Sequence, residues 1–288
     1  MKNKKSHSHF DLAINFFRPP RLKHSNSRLY LANNLLKIPK SKRSQITIFI
    51  ILGLIVIVLI ALLFLLIKPP EIKVIDENNP QAFIESCTRE SVEQALDILS
   101  KQGGDIEPKG YISYNGEDIS YLCYNIEYYQ PCVNQRPLLI EHIENEITDY
   151  IEPLVKECFV KLENELEGRY DIETSSLELK TTLYPKNIVV DITKKFKITR
   201  GNEIRKFESF KMIMVHPIYN LAEIAMEIAN QESEYCNFDE LGYMIVYPSY
   251  DITKFIRGEG DIIYTVTERA TDQKFTFAIR SCALPPGY

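Results

Sequence analysis

Residues 176–215 read SLELKTTLYPKNIVVDITKKFKITRGNEIRKFESFKMIMV. Three segments, SLELKTTLY, IVVDITKKFKIT and EIRKFESFKMIMV, are rich in Val, Ile, Thr, Phe and Tyr, side chains that suit a pleated and half-buried surface. The connections PKN and RGN supply turn formers of the length that joins antiparallel neighbours. The stretch predicts an antiparallel meander. IYNLAEIAMEIANQESEY follows, with Ile218, Leu221, Ile224 or Ala225, and Ile228 on one side of a helix that can cover the sheet. GYMIVYP, DIIYTVTE and KFTFAIRSCAL then read as further strands, with turns at Arg257-Gly258 and Thr271-Asp272.

Upstream, the pattern is helix, hairpin, helix. QAFIESCTRESVEQALDILSKQGG places Ile84, Cys87, Ser91 or Val92, Ala95 and Leu99 on one stripe, and Gly103-Gly104 ends it. In YISYNGEDISYLCY, Asn115-Gly116 separates two alternating segments, a strong hairpin signal. PLLIEHIENEITDYIEPLVKECFVKLENEL sets Ile140, Ile143, Ile147, Ile151, Leu154, Cys158 and Leu162 on one face and stops near Gly168. Pro153 lies inside that pattern and is expected to kink or split the helix, because proline removes a backbone donor and crowds the preceding turn. The sum is an α+β domain of mainly antiparallel sheet with packed helices over residues 81–288, as a helix-hairpin-helix part (81–168) and a strand-rich part (172–288).

Residues 68–80, with prolines at both ends, read as an extended linker. Before it, Ile46 to Ile67 is a run of 22 residues without a charge. At about 1.5 Å per residue a helix of that length covers roughly 33 Å, enough for a hydrocarbon core of about 30 Å. The run is longer than the apolar part of a cleaved secretory signal and lacks the small-residue cleavage site. The expectation is one transmembrane helix over 46–67.

Residues 1–45 carry eleven Lys and Arg against one acid, Asp11, a formal charge of +10. Residues 68–288 hold 23 basic and 38 acidic residues, a formal charge of −15. The positive-inside rule places the tail in the cytoplasm and the domain outside the membrane. The tail is expected to be largely disordered, with short amphipathic helices at Phe10–Phe17 and Arg28–Ile38, and to meet anionic lipid headgroups. The acidic domain is not expected to bind nucleic acid, which requires clustered positive charge.

All six cysteines, Cys87, Cys123, Cys132, Cys158, Cys236 and Cys282, follow the apolar run. An even number in a segment read as extracytoplasmic fits disulfides in an oxidising space. Cys87 and Cys158 each lie on a helical apolar stripe and can join the two helices. Cys123 and Cys132 flank YNIEYYQP, and Cys236 and Cys282 can tie the loop after the last helix to the final strand. Eight residues between Cys123 and Cys132 are too many for an ordinary structural zinc pair.

The sequence contains no GxSxG, P-loop or GxGxxG motif, and RGEGD (257–261) lacks the helix that would follow a phosphate-binding loop. In EHIENE, His142 and Glu146 are one helical turn apart and can share a metal, although a solvated helix face is the favoured reading. His216 precedes Pro217 with no cysteine or carboxylate cluster near it in sequence, which fits a structural or surface histidine. The tyrosines of YNIEYYQP suit either recognition or, as favoured here, ordinary hairpin packing. No catalytic residue, cofactor or metal is assigned.

KRSQITIFIILG resembles the class III signal of archaeal type IV pilin-like proteins. Arg43, Ser44 and Gln45 match the basic, small and glutamine positions, and Thr47 stands where serine is usual. Phe49 occupies the position that usually holds glutamate. The resemblance implies processing between Ser44 and Gln45. The order QITIFIILG, FIESCTRESVEQALDILSKQGG, YPKNIVVDITKKFKI, FESFKMIMVHPIYNLAEIA and KFTFAIRSC is also similar to a group of uncharacterised single-pass membrane proteins of small-genome archaea, across most of residues 45–282. That group implies the architecture and no activity.

The functional expectation is a membrane-anchored cell-envelope protein that acts by binding or assembly, pilin-like in one version, with the bilayer and a protein partner or further copies of itself as partners. A membrane-anchored hydrolase using acidic residues and a non-catalytic subunit of a membrane complex are the alternatives. A cleft of converging carboxylates would favour the hydrolase, and an exposed aromatic patch would favour interaction.

Overall fold

The computed structural model describes residues 44–66, 79–127 and 129–282, with the side chains of 49–60 in the first segment. The basic tail with its two short amphipathic helices, and nearly all of the linker, lie outside the described residues. Residues 1–71 and 72–288 form two separate units. In the first, helix α1 runs Ser44–Leu66 and begins at the residue pair read as a processing site. Phe49 to Ile60, its described side chains, are all exposed and apolar. That stretch is too short by itself to cross a bilayer, and among the described residues no helix is long and apolar enough to do so. The membrane span therefore rests on the sequence.

The second unit is an α+β domain with two sheets. Its elements are α2 (Pro80–Leu99), β1 (Tyr111–Tyr114), β2 (Glu117–Tyr124), β3 (Val133–Asn134), α3 (Leu139–Leu166), β4 (Asp171–Thr174), β5 (Glu178–Tyr184), β6 (Asn187–Arg200), β7 (Glu203–Val215), α4 (Ile218–Tyr235), α5 (Glu240–Val246), β8 (Tyr250–Ile256), β9 (Asp261–Glu268) and β10 (Gln273–Arg280). A single 3-10 turn, Gly258–Gly260, precedes β9. The meander forms the smaller sheet, in which β6 pairs with β7 on one edge and with β4 and β5 on the other, all antiparallel. The larger sheet has the order β1-β2-β10-β9-β8, with β3 also on β2. Its β2–β10 pairing is parallel and joins the early hairpin to the last strand. The helix-hairpin-helix part and the strand-rich part thus share one sheet.

Strand β6 shows how composition becomes a core. From Asn187 to Arg200 buried and less buried positions alternate, with Ile188, Val190, Ile192, Lys194, Phe196 and Ile198 facing inward. Lys194 is tolerated there because its ammonium donates to the Ser175 carbonyl at 2.8 Å and lies 5.2 Å from the centre of the Phe159 ring. Phe159 of α3 meets Phe196 and Phe210 at centroid distances of 6.2 and 5.1 Å, and this aromatic cluster anchors the helix on the sheet.

Both edges of the smaller sheet are covered in part. On β7, Arg89 of α2 donates to the Ile213 carbonyl at 2.8 Å, and Gln81 donates to that of Lys211. On β5, Glu144 of α3 accepts from the Leu183 amide at 2.7 Å, and the Thr148 hydroxyl bonds Thr181 at 2.9 Å. These edge groups, which would otherwise be open to another strand, are satisfied within the chain.

Helix α2 starts where the sequence signals it should, with Pro80 in its first turn and the Asn79 side chain accepting from the Ala82 amide. The expected split of α3 at Pro153 does not occur, and the helix is continuous over 28 residues. Ile147, Ile151, Val155, Cys158, Phe159 and Leu162 are buried, so the core position after Ile151 is Val155 rather than Leu154. Pro153 itself is exposed. GYMIVYP is also corrected, because its first residues belong to the short helix α5, capped by Asp239, whose carboxylate accepts from the Gly242 amide.

Three disulfides join Cys87 to Cys158, Cys123 to Cys132 and Cys236 to Cys282. They link α2 to α3, close the loop between β2 and β3, and tie the end of α4 to the residues after β10. Beside the last one, the fully buried Glu232 carboxylate accepts from the Ser281 hydroxyl at 2.7 Å and from the Tyr264 phenol, and lies 3.5 Å from the Lys254 ammonium. A buried charge of this kind is tolerable only with such partners.

Two outcomes test this packing. Phe210→Ala removes the centre of the aromatic cluster and is expected to cost about 3–5 kcal/mol in a denaturant titration. Non-reducing peptide mapping is expected to return the three linked cysteine pairs and no free thiol among the six.

Candidate functional site

After α2 the chain turns sharply through Gly103 and Gly104, which have φ values of 70° and 92°. A Cβ at Gly104 would lie 3.1 Å from Ile143, and one at Gly103 would lie 3.1 Å from Ser120. Glycine meets both demands, positive φ and close approach. The turn delivers Asp105, buried, between the hairpin and the start of α3.

Asp105 is the hub of the site. One carboxylate oxygen is 2.6 Å from His142 Nε2, and the other accepts from the Ser120 hydroxyl. The Arg136 guanidinium donates to the first at 3.3 Å. The next residue, Ile106, donates its amide to the Glu146 carboxylate at 2.8 Å. Burial by itself would raise the Asp105 carboxyl, but the hydrogen bonds from His142 and Ser120 and the Arg136 charge outweigh it and hold the group below the usual aspartate range.

Asp105 lies at one side of a cleft of about 710 Å³ whose lining also includes Lys109, Tyr111, Tyr121, Tyr124, Arg136 and Arg280. Each main wall is separately fixed. The Tyr121 hydroxyl donates to Asp261 at 2.9 Å, and burial together with that carboxylate pushes its phenol up, so it stays protonated. Arg280, at the end of β10, donates to the Tyr124 hydroxyl at 2.9 Å with its guanidinium 5.3 Å from the ring centre. The Tyr121 and Tyr124 rings meet edge-on at 5.1 Å. The Cys123–Cys132 disulfide joins the strand that carries these tyrosines to the segment shortly before Arg136. Arg136 keeps a buried Nε with no hydrogen-bond partner among the described residues. Lys109 is exposed and has no ion pair among them.

His142 and Glu146 are half-buried rather than on a solvated helix face, which corrects that part of the sequence reading. With Asp105 they place three potential metal-ligand atoms within 4.8 Å of one another. The charge balance favours hydrogen bonding over a cation there, because Asp105 already serves His142 and Arg136, and one Glu146 oxygen is taken by a backbone amide. The Ser120, Asp105 and His142 set is not a nucleophilic relay either. Both Ser120 and His142 contact the carboxylate, whereas nucleophile activation requires the imidazole between serine and acid. What the arrangement can do is hold an anion against guanidinium, ammonium and phenol donors.

The other residues weighed from sequence lie elsewhere. His216 is half-buried, and its Nδ1 accepts from the Ile218 amide at 3.1 Å. Burial is the main cause that pushes its imidazole down. In YNIEYYQP, Tyr124 joins the cleft, the Asn125 amide bonds the carbonyls of Gln130 and Ser281, and Ile126 and Tyr129 are exposed, so this loop is not ordinary hairpin packing. Asp105, Arg136 and Arg280 carried no sequence signal, since they lie far apart in the chain and match no motif. Comparison with family models, curated proteins and solved structures gave no match.

Because the Asp105 carboxyl is depressed in the folded state, its stabilising contribution is present above the pKa of an unfolded aspartate and is lost as pH falls through the lower folded value. Asp105→Asn is expected to cost about 1.5–3 kcal/mol near neutral pH, the range for hydrogen bonds to a charged group. The gap between variant and parent should narrow on the acid side of the ordinary aspartate range in urea titrations at stepped pH.

Proposed function

We propose that the chain is a single-pass envelope protein whose residues 79–282 act outside the membrane as a binding domain, and that the cleft beside Asp105 takes a ligand through a carboxylate or phosphate group. The observation that carries this reading is the convergence of Lys109, Arg136 and Arg280 on one cleft, in a segment whose formal charge from 68 to 288 is −15. The local sign is opposite to that of the surrounding domain. A polyanion such as nucleic acid would be repelled by the whole, whereas a ligand with one or two anionic groups meets three cations against the single Asp105 carboxylate.

The site is built for binding rather than turnover. Arginine presents donors in a planar fork that matches an oxyanion, and the Arg136 side chain remains about one-third exposed. The tyrosine walls are held by Asp261 and Arg280 before any ligand arrives, which lowers the ordering cost of association. Membrane attachment rests on the apolar run 46–67 and the +10 tail, and the three disulfides agree with an oxidising compartment.

Calorimetric titration of the full chain in neutral-lipid nanodiscs tests the cleft. Glucuronate or inorganic phosphate is expected to bind, and glucose is not. Lys109→Gln, which removes an exposed charge with no ion pair, is expected to weaken binding about threefold to tenfold, and Arg136→Gln more. Equal binding of glucose, or affinities untouched by both substitutions, would sink the reading.

A further inference from the structure

The larger sheet has two differently covered faces. Leu122, Phe275, Phe277 and Ile279 belong to the main core, on the side where α4 packs. Ile119, Ile263 and Ala278 point the other way, into a small cluster with Tyr114 and Tyr121. Tyr121 of the cationic cleft is therefore on the sheet face away from α4, and the outer side of α4 is a separate surface.

That surface has the opposite chemistry. Glu223, Glu227 and Glu234 recur at helical spacing on the exposed side of α4, opposite its buried stripe of Leu221, Ala225 and Ile228. Tyr243, Tyr247 and Tyr250 line the same groove, which has a volume of about 620 Å³ and no Lys or Arg in its lining. Among the described residues none of the three glutamates forms an ion pair. The Tyr243 and Tyr247 rings lie 4.6 Å apart. Burial first, and then the Glu227 charge and hydrogen bond, push the Tyr243 phenol up.

Beside the groove, helix α5 rests on the core only through the partly buried Tyr243 and Met244. Helix α5 buries none of its seven residues. Leu241 and Ile245, one turn apart, are 66% and 81% exposed, and Val246 is 66% exposed. Tyr243 and Tyr247, also one turn apart, line the groove. A contiguous apolar ridge left in water on an acidic domain marks a contact surface.

Charge decides what covers it. An anionic bilayer would be repelled by the three carboxylates, and an isologous contact with a second copy would set those carboxylates against each other. We propose that the α4–α5 groove docks a basic amphipathic segment of a partner protein. Its Lys or Arg side chains pair with Glu223, Glu227 and Glu234 and lie over the Tyr243 and Tyr247 rings, while its apolar side chains cover Leu241, Ile245 and Val246. This binding is independent of the anion cleft.

The test uses the full chain in neutral-lipid nanodiscs and a labelled 18-residue probe peptide of leucine and lysine at helical spacing, read by fluorescence anisotropy. The probe is expected to bind. E223Q/E227Q/E234Q is expected to weaken it by at least about tenfold, while E107Q/E178Q/E203Q, which removes as many exposed charges elsewhere, changes affinity less than about twofold. Ile245→Ser, at a site too exposed to disturb the core, is expected to weaken binding about threefold. Equal losses for the two triple variants, equal binding of a glutamine-leucine peptide, or no binding would overturn the proposal. Hydrogen exchange gives an independent readout. Protection of α5 by anionic-lipid nanodiscs and not by the probe would assign the ridge to the membrane and likewise overturn it.

Discussion

The fold depends on burying the apolar face of α3. Twenty-eight residues long, that helix offers one continuous stripe, which packs against α2, β5 and α4. The aromatic cluster of Phe159, Phe196 and Phe210 fixes it to the smaller sheet, and the Cys87–Cys158 disulfide fixes it to α2. Its first turns carry His142 to Asp105 and Glu146 to the Ile106 amide, so core packing and the setting of Asp105 are fixed by the same helix. Its polar flank also completes the edge of β5 through Glu144 and Thr148.

Polar groups inside the domain are managed by two hubs of different character. Glu232 is sealed among Tyr264, Ser281 and Lys254, and its role is to hold the C-terminal strand to α4. Asp105 sits at the boundary with solvent, and its partner Arg136 remains about one-third exposed. The first arrangement leaves nothing over for a ligand. The second borders a cleft that Lys109, Arg136 and Arg280 also line.

Much of the local structure was legible before the tertiary structure. The alternation in 176–215 predicted three strands because period-2 burial leaves a direct mark on sequence. Asn115-Gly116 predicted the hairpin turn, and both residues have positive φ, 53° and 89°. Other features were read wrongly. GYMIVYP is as apolar as a strand, and only the Asp239 cap and the absence of a sheet partner made its first part a helix. Pro153 failed to divide α3, since tertiary burial on both sides of it outweighs the local cost.

By itself, then, the sequence determined the α+β class, most helix and strand positions, the segregation of basic tail from acidic domain, and the uncharged run long enough to span a bilayer. These are properties of neighbouring residues, carried by periodicity, composition and charge. Only the tertiary structure decided the parallel pairing of β2 with β10, the joining of both halves in one core, and the meeting of Asp105, Arg136 and Arg280 at one cleft. Those bring together residues up to 175 positions apart, as Asp105 and Arg280 are in lining one cleft, and no local pattern encodes which distant surfaces will pack together.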